Sequence, residues 1–187
     1  MARGYAIHVA INRYCNTAIC RVRGELLTCV EAGRALHAMA QESGFESHLL
    51  IDARAWYANF ADLLRRANGD HLLLTFSGHG AVSRPGWMFL DRNLYFDELQ
   101  LSARAVVISN SCRSGVPIAN ALHIAACGAS EQAPDTLQFT HGVISRIRAS
   151  SPSEFFAAVS VLPFLSYNCW SQARSASSSV GLASETP

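Results

Sequence analysis

The chain has 187 residues, half of them hydrophobic and only 16% charged, with a formal net charge of +1. That is one domain's worth of chain, and so few charges suit a sheet covered on both faces. The near-zero balance offers no electrostatic footprint for nucleic acid or an anionic membrane surface, and no apolar stretch is long enough to span a bilayer.

Apolar periodicity predicts, in chain order, a strand over 4–11, a helix over 24–43, a strand over 46–51, a helix over 56–67 and a strand over 70–76. In the first helix Leu26, Val30, Gly33, Leu36 and Ala40 share a face, and Gly44 caps its end. In the second helix Phe60, Leu63, Leu64 and Ala67 face the core. Arg84-Pro-Gly86 signals a turn into the apolar piece 87–91, and one helical turn is expected at 97–100. Strands follow over 103–109 and 121–126, then helices over 137–148 and 153–161, the latter opened by Ser151-Pro152. A sixth strand is expected over 163–170. Residues 1–170 therefore read as one domain and 171–187 as a flexible Ser/Ala-rich tail. Alternating strands and helices imply an α/β fold with a mostly parallel sheet between two helical layers.

Two stretches carry chemistry. Residues 72–80, Leu-Leu-Leu-Thr-Phe-Ser-Gly-His-Gly, and 105–115, Ala-Val-Val-Ile-Ser-Asn-Ser-Cys-Arg-Ser-Gly, are both buried apolar runs ending in small polar residues, a reactive side chain and glycine. In a parallel sheet both ends emerge at the carboxyl edge, where ligands bind. A thiol (Cys112) beside an imidazole (His79), with glycine N–H groups close by, is the equipment of a cysteine hydrolase. Of the six cysteines, Cys15, Cys20, Cys29, Cys127 and Cys169 read as ordinary structural thiols. The start of the chain shows no signal-peptide pattern and no Cys-x-x-Cys pair is present. Reduced thiols in a cytoplasmic protein are therefore expected, with no zinc site or other metal and no cofactor. The histidines other than His79 are expected to be structural, and Arg13, Arg21, Arg23, Arg84 and Arg113 to be solvated loop arginines. Arg92 and Asp97 are expected to fix loop geometry.

Residues 77–80 and 110–115 resemble the His and Cys boxes of the caspase and metacaspase family. Residues 5–12, 27–32 and 122–133 are similar to that family's first strand, first-helix start and the strand after the nucleophile, so the likeness runs from about 4 to about 147. The resemblance implies a caspase-like three-layer sandwich and cysteine endopeptidase activity on a protein or peptide substrate. It implies Cys112 as nucleophile, His79 as general base and acid, and the Gly80 and Cys112 N–H groups as oxyanion hole. Ser77 and Asn110, polar and next to the dyad, are expected to bind substrate. The chain departs from the family at Asn110, where metacaspases carry Asp and caspases Gln, at Ala32, where the helix motif has Asp, and at 81–86, which holds no acid. These departures count against a basic cleavage-site specificity and against calcium as the switch. They also keep open a degenerate module that binds peptides or a regulatory protein partner. Finally, only 113–120 separate Cys112 from the next strand. That linker is either nearly extended, or the strand runs antiparallel or begins later, since a strand spans roughly 17–20 Å and an extended residue gains at most ~3.3–3.6 Å. An unprocessed chain, needing no cut there, is expected.

Overall fold

A computed structural model of the protein describes residues 3–14, 25–67, 71–101 and 104–161. The elements are β1 (Gly4–Ala10), α1 (Cys29–Glu42), β2 (Glu46–Ile51), a 3-10 turn (Asp52–Arg54), α2 (Tyr57–Arg66), β3 (His71–Ser77), β4 (Gly86–Met88), β5 (Asn93–Tyr95), β6 (Arg104–Asn110), β7 (Ala121–Ala125), α3 (Gln138–Arg146) and α4 (Pro152–Val161). Five strands form one sheet in the order β2-β1-β3-β6-β7, every neighbouring pair parallel. β4 and β5 make a separate antiparallel hairpin.

Apolar residues on both faces of each inner strand divide the core in two. Val9, Leu72, Leu74, Phe76 and Val107 pack with Phe60 of α2 and with Trp87, Phe89 and Phe96 of the hairpin region. Ala6, Leu73, Val106 and Ile108 pack with Leu36 and Ala40 of α1, Phe139 and Val143 of α3, and Phe155 and Val159 of α4. The fold is thus an α/β arrangement with helices on both faces of a parallel sheet. α1 lies against β1 at very short range, because a β-carbon at Gly33 would stand 2.4 Å from the Ala10 Cβ. Its end is a Schellman turn: Phe45 N–H donates to Ala40 O and Gly44 N–H to Gln41 O, with Gly44 at φ 73°. α4 starts at Pro152 as expected, with Glu154 N–H donating to Ser151 Oγ (3.3 Å).

Several expectations change. α1 begins at Cys29, later than expected, because the described approach to it, from 25 to 28, is bonded as a loop. Leu26 N–H donates to Asn12 O, Val30 N–H to Asn12 Oδ1, and the Leu27 and Thr28 N–H groups to the Asp135 carboxylate. Residues 96–99 form a hydrogen-bonded turn and no helix. The linker after β6 takes the nearly extended option. Gly115 still pairs with Gly128 at the carboxyl edge, while Ala121 already pairs with Ala105 at the other end, leaving 116–120 for the return. That run is anchored by the buried Ile118, by Ala121 N–H donating to Ile118 O (3.3 Å), and by Asn120 at φ 60°. β7 is parallel, so the antiparallel option is excluded. The sixth strand over 163–170, the tail from 171, and Cys15, Cys20, Cys169, Arg21 and Arg23 lie outside the described residues.

Candidate active site

β3 and β6 are adjacent and in register from His71↔Arg104 to Ser77↔Asn110, so the two boxes leave the same edge side by side. The first contact beyond the ladder is Gly78 N–H donating to Asn110 O (3.2 Å). Two residues on, the backbones touch. A β-carbon on Gly80 would lie 2.0 Å from the Cys112 carbonyl oxygen, 2.9 Å from its carbon and 3.2 Å from its nitrogen. All three are main-chain atoms that cannot swing aside, so Gly80 is required for the approach of the two boxes.

Gly80 is also opposed to Trp87 in an antiparallel bridge. The hydrogen bonds that close this bridge are Ala81 N–H to Gly86 O (2.9 Å) and Met88 N–H to His79 O (3.0 Å). Gly80 is therefore a non-hydrogen-bonded position, whose own N–H points away from the hairpin. Gly78, His79 and Ala81 all spend their N–H groups. Arg113 N–H donates to Glu131 O (2.9 Å). Among the described residues no acceptor takes the N–H of Gly80 or of Cys112. The N–H groups of Gly80 and Cys112 are thus two unspent donors where the two boxes meet.

His79 is held by its backbone between Met88 and Tyr14. Its N–H donates to Tyr14 Oη (2.8 Å), and the two rings lie 4.8 Å apart at 42°. The hairpin beneath is rigid: Trp87 is fully buried, stacks on Phe76 at 5.1 Å and 5°, and donates Nε1–H to Ser109 Oγ (3.1 Å). On the other side, Arg113 at φ 58° turns the chain sharply after Cys112. Its Nη1 donates to Val82 O (2.5 Å), so this arginine ties the Cys loop to the His loop instead of merely facing solvent as expected. Arg84 is likewise engaged, pairing with Asp97 and Glu98, while Arg92 reaches Glu98, in keeping with a structural role for Arg92 and Asp97. Arg13 is exposed and pairs with Glu25.

Ser77 and Asn110 stand at the ends of the paired strands, on the α1 side by strand alternation, and both are buried. Ser77 Oγ has no hydrogen-bond partner among the described residues. His79 and Cys112 are half-buried. Cys29 and Cys127 are buried free thiols, as expected of structural cysteines, yet both adjoin the site. Cys127 Sγ–H donates to Ser111 O (3.1 Å), directly before Cys112. Burial, with Asp135, Asp52 and Cys112 adding to it, pushes the Cys29 thiol up to about 12.

Sequence reasoning missed Tyr14 and Asp135. Asp135, in the loop before α3, accepts from Leu27 N–H (2.7 Å), Thr28 N–H (3.1 Å) and Thr28 Oγ–H (2.6 Å). Burial works to raise its pKa, but the Thr28 hydroxyl and the two amides, with His79 helping, hold it below the ordinary carboxylate value. No local pattern signals either residue, because each acts on a partner distant in sequence. Among the described residues no group of three or more His, Cys, Asp or Glu could hold a metal ion, and no helix is long and apolar enough to cross a membrane.

No family model matches the sequence, and no curated protein matches it. Solved structures do. Caspase-1 of Spodoptera frugiperda superposes with a TM-score of 0.60 at 11% identity, over 79% of this chain and 69% of that one. The Drosophila initiator caspase Dronc gives 0.54 at 16% identity, over 77% and 63%. The protein GSU0716 of Geobacter sulfurreducens gives 0.52 at 25% identity, over 61% and 52%. The chain thus spans between about half and somewhat over two thirds of these solved chains. Together with the parallel five-stranded sheet and its two helical layers, these likenesses establish a caspase-like fold.

Proposed function

We propose that the protein is a caspase-like cysteine endopeptidase working through Cys112 and His79 without a metal. The observation that carries this reading is the backbone contact between Gly80 and Cys112, with the N–H groups of both residues unspent. The Cys112 thiolate attacks the scissile carbonyl, forming a C–S bond. The oxyanion accepts from the Gly80 and Cys112 N–H groups. The C–N bond breaks as His79 protonates the leaving amine. Water, deprotonated by His79, then releases the acyl group and regenerates the thiol. Ser77 and Asn110 form the floor of the substrate pocket. Neither carries a charge, and Ala32 of α1 adds none, so a basic side chain at the cleavage position is not selected by these three residues. A reducing cytoplasmic setting suits Cys29, Cys112 and Cys127, all of them free.

The test is labelling by peptidyl electrophiles and cleavage profiling across a peptide library. Covalent labelling lost in Cys112→Ala, with turnover of at least one peptide class, supports the enzyme. Tight peptide binding by wild type and Cys112→Ala alike, with neither turnover nor covalent labelling of the wild type, favours a binding module for a regulatory partner. Mass spectrometry of the active protein is expected to show an intact 113–120 linker, since Ile118 is buried and the run has no slack. Activity appearing only after a cut there overturns the expectation of an unprocessed chain.

A further inference from the structure

We infer that Tyr14 is a positioning residue for His79, setting the imidazole for proton transfer with Cys112. The proposal rests on the peptidase reading and assigns a device that the His and Cys boxes do not contain. Three independent contacts converge on this one phenol. Its oxygen accepts the His79 N–H at 2.8 Å. The same oxygen donates to Met88 O at 3.0 Å. Its ring packs against the imidazole, centroids 4.8 Å apart. Met88 is itself bonded to His79, its N–H donating to His79 O at 3.0 Å. The peptide groups flanking the His79 α-carbon are therefore clamped, the one before it by Tyr14 and the one after it by Met88. The ring restricts the side chain between them.

The neighbouring glycine fits this arrangement. A β-carbon on Gly78 would lie 2.5 Å from Tyr14 Oη, and 3.0 Å from Phe76 ring atoms. The space left by the absent side chain at 78 is what the phenol oxygen occupies. The first glycine of the Ser-Gly-His-Gly run thus serves Tyr14, and the second serves the approach to Cys112. Tyr14 belongs to the segment leaving β1, so the strand on one side of β3 holds the base while β6 on the other side delivers the nucleophile. The two hydrogen bonds and the ring contact join Tyr14 to His79 or to the residue that holds it, so its proposed effect runs through the imidazole.

The experiment compares wild type with Tyr14→Phe, which keeps the ring and removes both hydrogen bonds. It reads peptidase kinetics and the rate of Cys112 alkylation by iodoacetamide at about pH 6 and about pH 9.5, measured by mass spectrometry on the peptide bearing Cys112. Tyr14→Phe is expected to lower kcat about tenfold with KM nearly unchanged, the signature of impaired proton transfer. Alkylation is expected to slow at about pH 6, where reactivity depends on the imidazole, and to match wild type at about pH 9.5, where hydroxide replaces the imidazole as the base. Gly78→Ala should act in the same direction, and the double variant should be less than additive, since the oxygen that the new methyl strikes is gone. Wild-type kcat and alkylation in Tyr14→Phe overturn the proposal. So does slowing that is equal at both pH values, which marks a merely structural role, and so does full additivity with Gly78→Ala. The peptidase reading fails separately, through wild type itself: a Cys112 that alkylates at about pH 6 no faster than an ordinary thiol removes the dyad, and Tyr14's role with it.

Discussion

His8 in β1 and His79 just beyond β3 sit on adjacent strands of one sheet, yet their surroundings are opposite. His8 is fully buried in mid-strand, with Nδ1 2.8 Å from Thr75 Oγ1 and Nε2 3.0 Å from Ser47 Oγ. Ser47 Oγ also lies 2.6 Å from His37 Nδ1, so the ring is locked into a network crossing three strands' worth of sheet and α1. Burial, reinforced by His37 and His48, lowers its pKa to about 3. Such an imidazole cannot trade protons near neutrality. His79 is half-buried, and its described anchors are the main-chain bonds to Tyr14 and Met88 and the Tyr14 ring. In the sheet interior both ring nitrogens of His8 are engaged and burial keeps the ring neutral. The carboxyl edge fixes the backbone and leaves N–H groups unspent.

Breaking the edge should therefore cost activity, and breaking the interior should cost stability. The largest expected effect is on catalysis. Cys112→Ala or His79→Ala should cut turnover by at least about 10³-fold with the melting temperature nearly unchanged, read by peptide hydrolysis and calorimetry. Loss of the folded transition in Cys112→Ala would show that the edge is structural after all. In the interior, His8→Leu leaves Thr75 Oγ1 without its ring partner, while Ser47 keeps His37, and should destabilise by about 1–3 kcal/mol. A destabilisation near zero, read by urea unfolding, would mean that the network is not holding the strands.

The contrast sharpens with pH. Below about pH 6.5 an unfolded chain protonates its histidines, while the fold keeps His8 neutral down to about 3 and His123, lowered chiefly by burial, down to about 4. The unfolded state therefore binds more protons in that window, and stability falls as pH drops by roughly 1.4 kcal/mol per unit for each such histidine. Denaturant melts between about pH 7 and pH 5 should show this slope, reduced in His8→Leu. A flat profile would contradict the neutral interior. The smallest effect is expected at Asp135, whose carboxylate caps the start of α1 in place of a local residue. Asp135→Ala should cost about 1 kcal/mol, measured by thermal melting. An unchanged melt would show that the cap is dispensable.

Much of the fold was legible from local pattern. Continuous apolar runs announced buried parallel strands, as at 72–76 and 105–108, because a strand covered on both faces cannot alternate. Ser151-Pro152 and Gly44 marked helix ends through backbone constraints that act within a few residues. That the segments bearing His79 and Cys112 leave the sheet side by side was readable for the same reason: each ends such a run, and parallel topology brings run ends together. The late start of α1 was not readable. Its first turn is held by Asn12 and Asp135, and the latter lies more than a hundred positions away. Nor was the course of 116–120, where a few buried contacts and one residue at positive φ replace the helix that a parallel crossover normally carries. Local sequence determined which segments were strands and where the two glycine-bearing boxes end them, since propensity, apolar period and glycine sterics act along the chain. Only the tertiary structure decided that Tyr14 grips His79, that Arg113 ties the two loops, and that the N–H groups of Gly80 and Cys112 stay unspent. Those outcomes depend on which hydrogen bonds the rest of the fold has already used, and that accounting spans the whole molecule.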